Sequence, residues 1–259
     1  GARNHGQSVG LIGDIGLFSL GVGKGLSTYT GGLLLARDPY LRQALAATAC
    51  RLLRPHRGWE AWRCLEWLGY LALYRPRGLF YAYGRPLRRA LRHGDLLAAV
   101  GDNLPSLISL QRMGRFRSSV GVRAFARLAA LHTRTEAQAQ DRVARLQAIE
   151  GVQVLRDAAG GRGVWPVLML RLPNEAMRDA VLRQLWGERL GVTRMFIHAL
   201  PDYPALQHLI LAAHVPNARA LAATTLTVSN SLWLDETGFT KVWQVIAEQV
   251  SSAKICDKG

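Results

Sequence analysis

Short apolar runs bounded by glycine-rich turns alternate with longer stretches of helical periodicity in this 259-residue chain, whose hydrophobic content is 49%. Together these features predict a layered α/β or α+β protein with enough apolar material for a buried core. The alternation is clearest in the second half. Residues 136–149 carry apolar side chains at helical spacing and stop before Gly151, while 152–155 and 164–172 have strand character on either side of a Gly160-Gly161-Arg162-Gly163 turn. Asn174 is placed to cap a helix that runs to about Leu190 and ends at Gly191. Strands are expected at 192–197 and 224–228, followed by an amphipathic helix over 236–250.

The first half holds the most informative residue. Lys24 stands alone among apolar residues and glycines in Phe18-Ser19-Leu20-Gly21-Val22-Gly23-Lys24-Gly25-Leu26-Ser27, ahead of a Gly31-Gly32 pair. A lysine whose surroundings favour the neutral amine becomes a nucleophile toward carbonyls, and a glycine-rich turn lets a flat ligand come close to the backbone. The competing view is an ordinary solvated loop lysine. A phosphate loop is excluded, because G-x-x-x-x-G-K-[ST] needs glycine where Phe18 stands and a hydroxyl where Gly25 stands.

The order Gly13-Asp14-Ile15-Gly16-Leu17-Phe18-Ser19, then Lys24, then Gly31-Gly32-Leu33-Leu34-Leu35-Ala36-Arg37-Asp38-Pro39 resembles the DegT/DnrJ/StrS family of pyridoxal-phosphate (PLP) sugar aminotransferases, with matching spacing and no gaps. The resemblance implies the PLP-dependent transferase (aspartate aminotransferase-like) fold, with a partial large domain over 1–125 and a smaller C-terminal α+β domain over 126–259. It implies that Lys24 is the lysine that bonds the cofactor, that Ser19 hydrogen-bonds its phosphate, and that Arg3 takes the place of the Gln or His that approaches the cofactor. A PLP protein supplies a lysine, a phosphate cradle and an acidic partner for the pyridine nitrogen. The family's acidic partner would align ahead of Gly1, so the chain is expected to be a C-terminal portion.

Elsewhere the pattern departs from the family. Thr30 stands where a carboxylate usually precedes the Gly-Gly pair. In Ile108-Ser109-Leu110-Gln111-Arg112-Met113, Leu110 occupies the place of an asparagine that reaches the neighbouring subunit's cofactor. The continuation Arg117-Ser118-Ser119-Val120-Gly121, Leu128 to Leu131, Arg142 and the late Thr227-Val228-Ser229-Asn230-Ser231 still follow the family.

The formal net charge is +15, carried almost wholly by arginine. Net charge speaks to nonspecific association more than to fold, and no zinc-finger spacing or RNP-type aromatic motif accompanies it, so a nucleic-acid partner is not expected. Cys50, Cys64 and Cys256 have neither metal-ligand spacing nor an even count, which points to a reducing cytoplasmic setting without a metal site. Residues 51–93 concentrate arginines against only Glu60 and Glu66, interleaved with Trp59, Trp62, Trp67, Tyr70, Tyr74, Phe80, Tyr81 and Tyr83. This segment is expected to be a helical insertion. It could pack on the large domain as a pair of helices or lie on the inner face of an anionic membrane. Its longest uncharged apolar run, 67–74, is too short to span a bilayer.

A second polar cluster lies in Phe196-Ile197-His198-Ala199-Leu200-Pro201-Asp202-Tyr203-Pro204, where His198 is a candidate for the substrate cleft; Arg194 is a candidate anion clamp. The resemblance implies amino transfer from an amino acid such as glutamate to a keto sugar, nucleotide-linked, in a homodimer. The lysine favours transamination over the dehydratase branch, in which a histidine replaces it. The alternative from another class is a noncatalytic PLP-fold remnant acting as a membrane-peripheral or scaffolding protein.

Overall fold

A computed structural model of the chain describes residues 1–100, 110–210 and 213–256. In chain order, β1 (Arg3–Asn4), β2 (Gln7–Ser8), β3 (Ile15–Ser19) and β4 (Gly32–Ala36) lead into α1 (Pro39–Leu52) and α2 (Arg57–Leu73). A short α3 (Pro76–Leu79) runs through a π-helical turn at Phe80–Gly84 into α4 (Arg85–Arg92), and α5 (Leu96–Val100) follows. Then come α6 (Arg115–Phe125), α7 (Leu128–Gln147), β5 (Gln153–Val154), β6 (Gly161–Arg162), β7 (Val167–Arg171), α8 (Glu175–Leu185), β8 (Val192–Thr193), α9 (Pro216–Thr224), β9 (Thr225–Ser229) and α10 (Glu236–Cys256).

The chain packs into two units, each discontinuous in sequence. The first comprises Gly1–Tyr74, Ser106–Ala137 and Asp157–Pro166; the second comprises Arg75–Pro105, Gln138–Arg156 and Val167–Gly259.

In the first unit β1 pairs antiparallel with both β2 and β6, and β3 pairs antiparallel with β4 in the register Leu17 to Leu34. The β3–β4 ribbon carries Ile15, Leu17, Leu33, Leu34 and Leu35 exposed on its two faces, a composition typical of strands covered on both sides. Helix α1 starts where its sequence dictates: Pro39 sits in the first turn and the Asp38 carboxylate accepts from Leu41 N at 2.8 Å. Helix α2 is capped by a ring nitrogen, His56 Nδ1, which accepts from Trp59 N at 2.9 Å.

The second unit is built on an antiparallel sheet in the order β5-β7-β9-β8. Its core includes Leu146, Leu168, Leu170, Val181, Leu185, Leu226, Val228, Phe239, Val242 and Ile246, all buried. Alternate positions of β7 (Leu168, Leu170) and β9 (Leu226, Val228) supply one face, and apolar stripes of the helices cover it. A polar seam crosses this core. Gln138 Nε2 donates to Asn230 Oδ1 at 3.0 Å, Arg142 donates to the Asn230 side chain and to Leu234 O, and the Arg142 guanidinium carbon lies 4.8 Å from the Phe239 ring centroid. Every donor named here finds an acceptor, which is what makes such groups tolerable inside a core.

Several expected boundaries move, each for a local reason. The helix expected at 136–149 begins eight residues earlier, because Leu128-Ala129-Ala130-Leu131 already continues its pattern. The helix after Asn174 ends at Leu185 instead of Leu190. Trp186 leaves the helical region (ψ 121°), and Gly187 (φ 88°) and Arg189 (φ 65°) turn the chain. The strand expected at 192–197 is only Val192–Thr193, since Arg194 folds inward to bind Ile197 O and Ala222 O. The turn expected at 160–163 contributes strand β6. Residues 51–93 are divided between the units: α2 belongs to the first, and the stretch from Arg75 belongs to the second.

The Asn174 side chain accepts from Met177 N at 2.9 Å and caps α8. Replacing it by alanine is expected to cost about 1 kcal/mol of stability, measured by urea unfolding, and Asn174→Ser is expected to recover most of the loss.

Candidate functional site

Lys24 lies in the loop joining β3 to β4. The base of this loop is closed by Leu20 N donating to Gly31 O at 3.0 Å and Thr28 N donating to Leu20 O at 2.9 Å. Within it, Lys24 N donates to Gly21 O across a turn in which Gly23 has φ 80° and open space where a Cβ would stand. At the far end Gly31 has φ 122°, and a side chain there would run into Met113. These glycines let the backbone carry an exposed lysine into open space. Ser19, the last residue of β3, is exposed as well; its Oγ accepts from Gly21 N at 3.3 Å, which leaves the hydroxyl hydrogen free to be donated.

The loop is held from beneath by Arg117 of α6, a side chain only 1% exposed. Its Nη1 donates to Thr30 O and Thr30 Oγ1, both at 3.1 Å, and reaches Thr28 O at 3.4 Å. The other side of the guanidinium grips Glu60 of α2 with two hydrogen bonds, Nε to Oε1 at 2.8 Å and Nη2 to Oε2 at 2.6 Å. This fork fixes both the position and the orientation of the arginine. Arg117 bridges the carbonyls on either side of Tyr29, and Tyr29 is held at φ 73°, unusual for a bulky residue. The Tyr29 ring packs 6.0 Å from Tyr70 of α2, and the Arg117 guanidinium carbon lies 5.3 Å from the Trp59 ring centroid.

The hydrogen bonds from Arg117 hold the Glu60 carboxyl below the usual carboxylate range, against the opposing effect of burial. Burial pushes the neighbouring Cys64 thiol up. On another side of the loop His132 of α7 stands against Gly25, and burial lowers its pKa, so the ring favours its neutral form. Also in the first unit, a cavity of about 980 Å³ is lined by His56, Arg57, Glu60, Arg112, Arg115 and Arg123 among others, but not by Lys24 or Ser19.

The structure therefore places Lys24 and Ser19 on one loop. Arg3 is exposed in β1, its Nη1 donating to Gly6 O at 3.0 Å, and no hydrogen bond among the described residues joins it to Lys24 or Ser19. In the second unit His198 is exposed beside Tyr203, with ring centroids 5.4 Å apart, and Asp202 pairs with Arg219. Arg194 is buried, and its Nη2 is engaged by Ile197 O and Ala222 O. That placement makes Arg194 an internal strut of its loop. Ile108 and Ser109 lie outside the described residues. Leu110 and Arg112 are joined through their backbones to Arg54. Sequence reasoning missed Glu60 and His132 as neighbours of the loop. The one available signal was Thr30, a position without the expected carboxylate; Arg117 joins Thr30 to the Glu60 carboxylate.

Among the described residues no helix is long and apolar enough to cross a membrane. No protein-family model matches the chain, and no curated protein matches it by sequence. Solved structures do. Synthase for 3-amino-5-hydroxybenzoic acid matches 97% of this chain at 19% identity and a TM-score of 0.65. A DegT DnrJ EryC1 StrS aminotransferase from Brucella abortus matches 96% at 18% identity and 0.63, and the GDP-4-keto-6-deoxy-D-mannose-3-dehydratase of E. coli, with bound hydrated PLP, matches 95% at 14% and 0.59. The chain has the fold of the PLP-dependent aminotransferases. It spans 58%, 54% and 57% of the lengths of the three proteins described. The lysine loop presents an exposed primary amine, five residues after an exposed hydroxyl donor, on an open glycine turn.

Two outcomes follow for the Arg117–Glu60 pair. Arg117→Ala is expected to destabilise the protein by about 3 kcal/mol, and Arg117→Lys to recover only part of this because the fork is lost. The folded Glu60 carboxyl titrates below its ordinary value of 4.5, so its contribution is complete above that value and is lost as pH falls through the lower folded value. Urea unfolding from pH 7 down to pH 3 is therefore expected to show a loss of stability that Glu60→Gln flattens.

Proposed function

We propose that this chain is the lysine-bearing part of a PLP-dependent aminotransferase that acts on a keto sugar, nucleotide-linked, with an amino acid such as glutamate as donor. The observation that carries this is the Lys24 loop: an exposed amine five residues after an exposed serine hydroxyl, on a glycine turn whose following limb is held by Arg117 at Thr28 and Thr30, within a fold shared with PLP enzymes. A homodimer in a cytoplasmic setting accompanies this proposal.

PLP, when bound, supplies an aldehyde for a primary amine and an electron sink for the bonds at the substrate carbon. Every other task in the proposal belongs to protein groups. Lys24 Nζ would hold the cofactor and, as a primary amine, would serve as the base and acid that moves a proton at the donor's α-carbon. Ser19 Oγ would donate to a phosphate oxygen. Arg117 keeps the loop in one conformation, so that the Lys24 main chain does not wander while the side chain works. His198 is assigned to the substrate side, and Arg3 to the approach to the cofactor ring.

Titration of the protein with PLP, followed by visible absorption, tests the assignment. The free aldehyde band is expected to shift on binding in the wild type and to stay unshifted in Lys24→Ala. Ser19→Ala is expected to retain the shift with affinity weaker by about tenfold, the effect of one hydrogen bond to a charged group. An unshifted band in the folded wild type would contradict the proposal and leave a noncatalytic member of the fold.

A further inference from the structure

The second unit carries a basic cleft that the Lys24 chemistry does not use. Helix α4 presents Arg85, Arg88, Arg89 and Arg92 at positions i, i+3, i+4 and i+7, so four guanidinium groups share one face. The opposite side is anchored by Leu87, which is buried. The arginine face borders an open cavity of about 700 Å³, lined by these four residues together with Phe80 and His93. Among the described residues no carboxylate lines it.

Four cations on two helical turns repel one another, and among the described residues acids do little to neutralise them. The single acidic contact among the described residues is Arg88 Nη1 to Glu188 Oε1, at 4.0 Å, the outer limit of an ion pair. Two of the four, Arg85 and Arg88, are steadied by rings, as is Arg189 nearby. The Arg88 guanidinium carbon lies 4.0 Å from the Phe80 centroid, Arg189 lies 4.4 Å from the same ring, and Arg85 lies 4.8 Å from Tyr81. Stacking on a ring positions a guanidinium while leaving its N–H edges free to donate. A cleft of this volume falls in the small-molecule range, and planar forks with no close counter-ion among the described residues are matched to the oxygens of a phosphate.

We propose that this cleft binds a multiply charged phosphate group. The shared chemistry is a phosphate with two or more negative charges, carried either by a soluble phosphate compound or by an anionic lipid headgroup. Tyr81 and Tyr83 stand exposed beside the cleft and would suit the lipid source, since amphipathic rings favour the headgroup layer. The proposal stands independently of the role given to Lys24.

The test is calorimetric titration of the whole chain with inorganic pyrophosphate, and co-sedimentation with phosphatidylcholine vesicles with and without phosphatidylglycerol. Arg88→Ala/Arg92→Ala is expected to weaken pyrophosphate binding by on the order of a hundredfold, from the loss of two charge-assisted contacts. Arg88→Lys, which keeps the charge, is expected to weaken it less. The charge-matched control Arg37→Ala/Arg42→Ala, in the first unit, is expected to bind as the wild type does. Vesicle binding that needs phosphatidylglycerol and is lost in the same double variant would assign the lipid source; pyrophosphate binding without it would assign the soluble one. Equal losses in the control, or no binding of either probe by the folded wild type, would overturn the site.

Discussion

The Lys24 loop depends on one side chain, Arg117. Its guanidinium holds the carbonyls of Thr28 and Thr30 on one edge and the Glu60 carboxylate on the other, so the loop, α6 and α2 are tied at a single point. Such a point is costly to build. A fully buried cation must recover its lost hydration from hydrogen bonds, and Arg117 makes five, two of them to an opposite charge. The same contacts hold Tyr29 at a positive φ, a local strain of about 1–3 kcal/mol. The Tyr29 ring settles against Tyr70, and the chain is turned so that Gly31-Gly32 enters β4 in register. Strain held by surrounding structure is a common accompaniment of loops that must present one group in one place.

Helix α2 thereby acquires a purpose that its composition alone does not suggest. Glu60 faces Arg117, Tyr70 faces the loop, and Trp67 packs edge-on to Phe116 of α6 at 6.0 Å. The other side of the helix keeps Trp62, Leu65 and Leu68 exposed. The arginines and aromatic residues of 51–93 thus divide among different tasks. Tyr70 and Trp59 pack against the lysine loop and its arginine, and the arginines of α4 border a cleft of their own.

Much of this architecture was legible in the sequence because local chemistry settles it. Asn174 caps a helix, and the strands expected at 164–172 and 224–228 are found at Val167–Arg171 and Thr225–Ser229. The glycine-rich stretch around Lys24 reads as a turn, and it joins β3 to β4 between Ser19 and Gly32. What was not legible involves residues far apart in the chain. Arg117 and Glu60 are 57 positions apart, and nothing near either says that they pair. Arg194 could not be told from a surface arginine until its contacts with Ile197 O and Ala222 O showed it to be internal. The early end of α8 follows from a left-handed turn at Gly187, whereas the sequence offered Gly191 as an equally good stop.

The central claim is that the loop held by Arg117 presents Lys24 as the cofactor lysine. Borohydride reduction of the PLP-treated protein, with peptide mass mapping, tests it most directly. A phosphopyridoxyl mass on the peptide containing Lys24, and on no other lysine peptide, is the predicted result. A folded protein that yields no adduct, or one labelled on Lys241 or Lys254 instead, would contradict it.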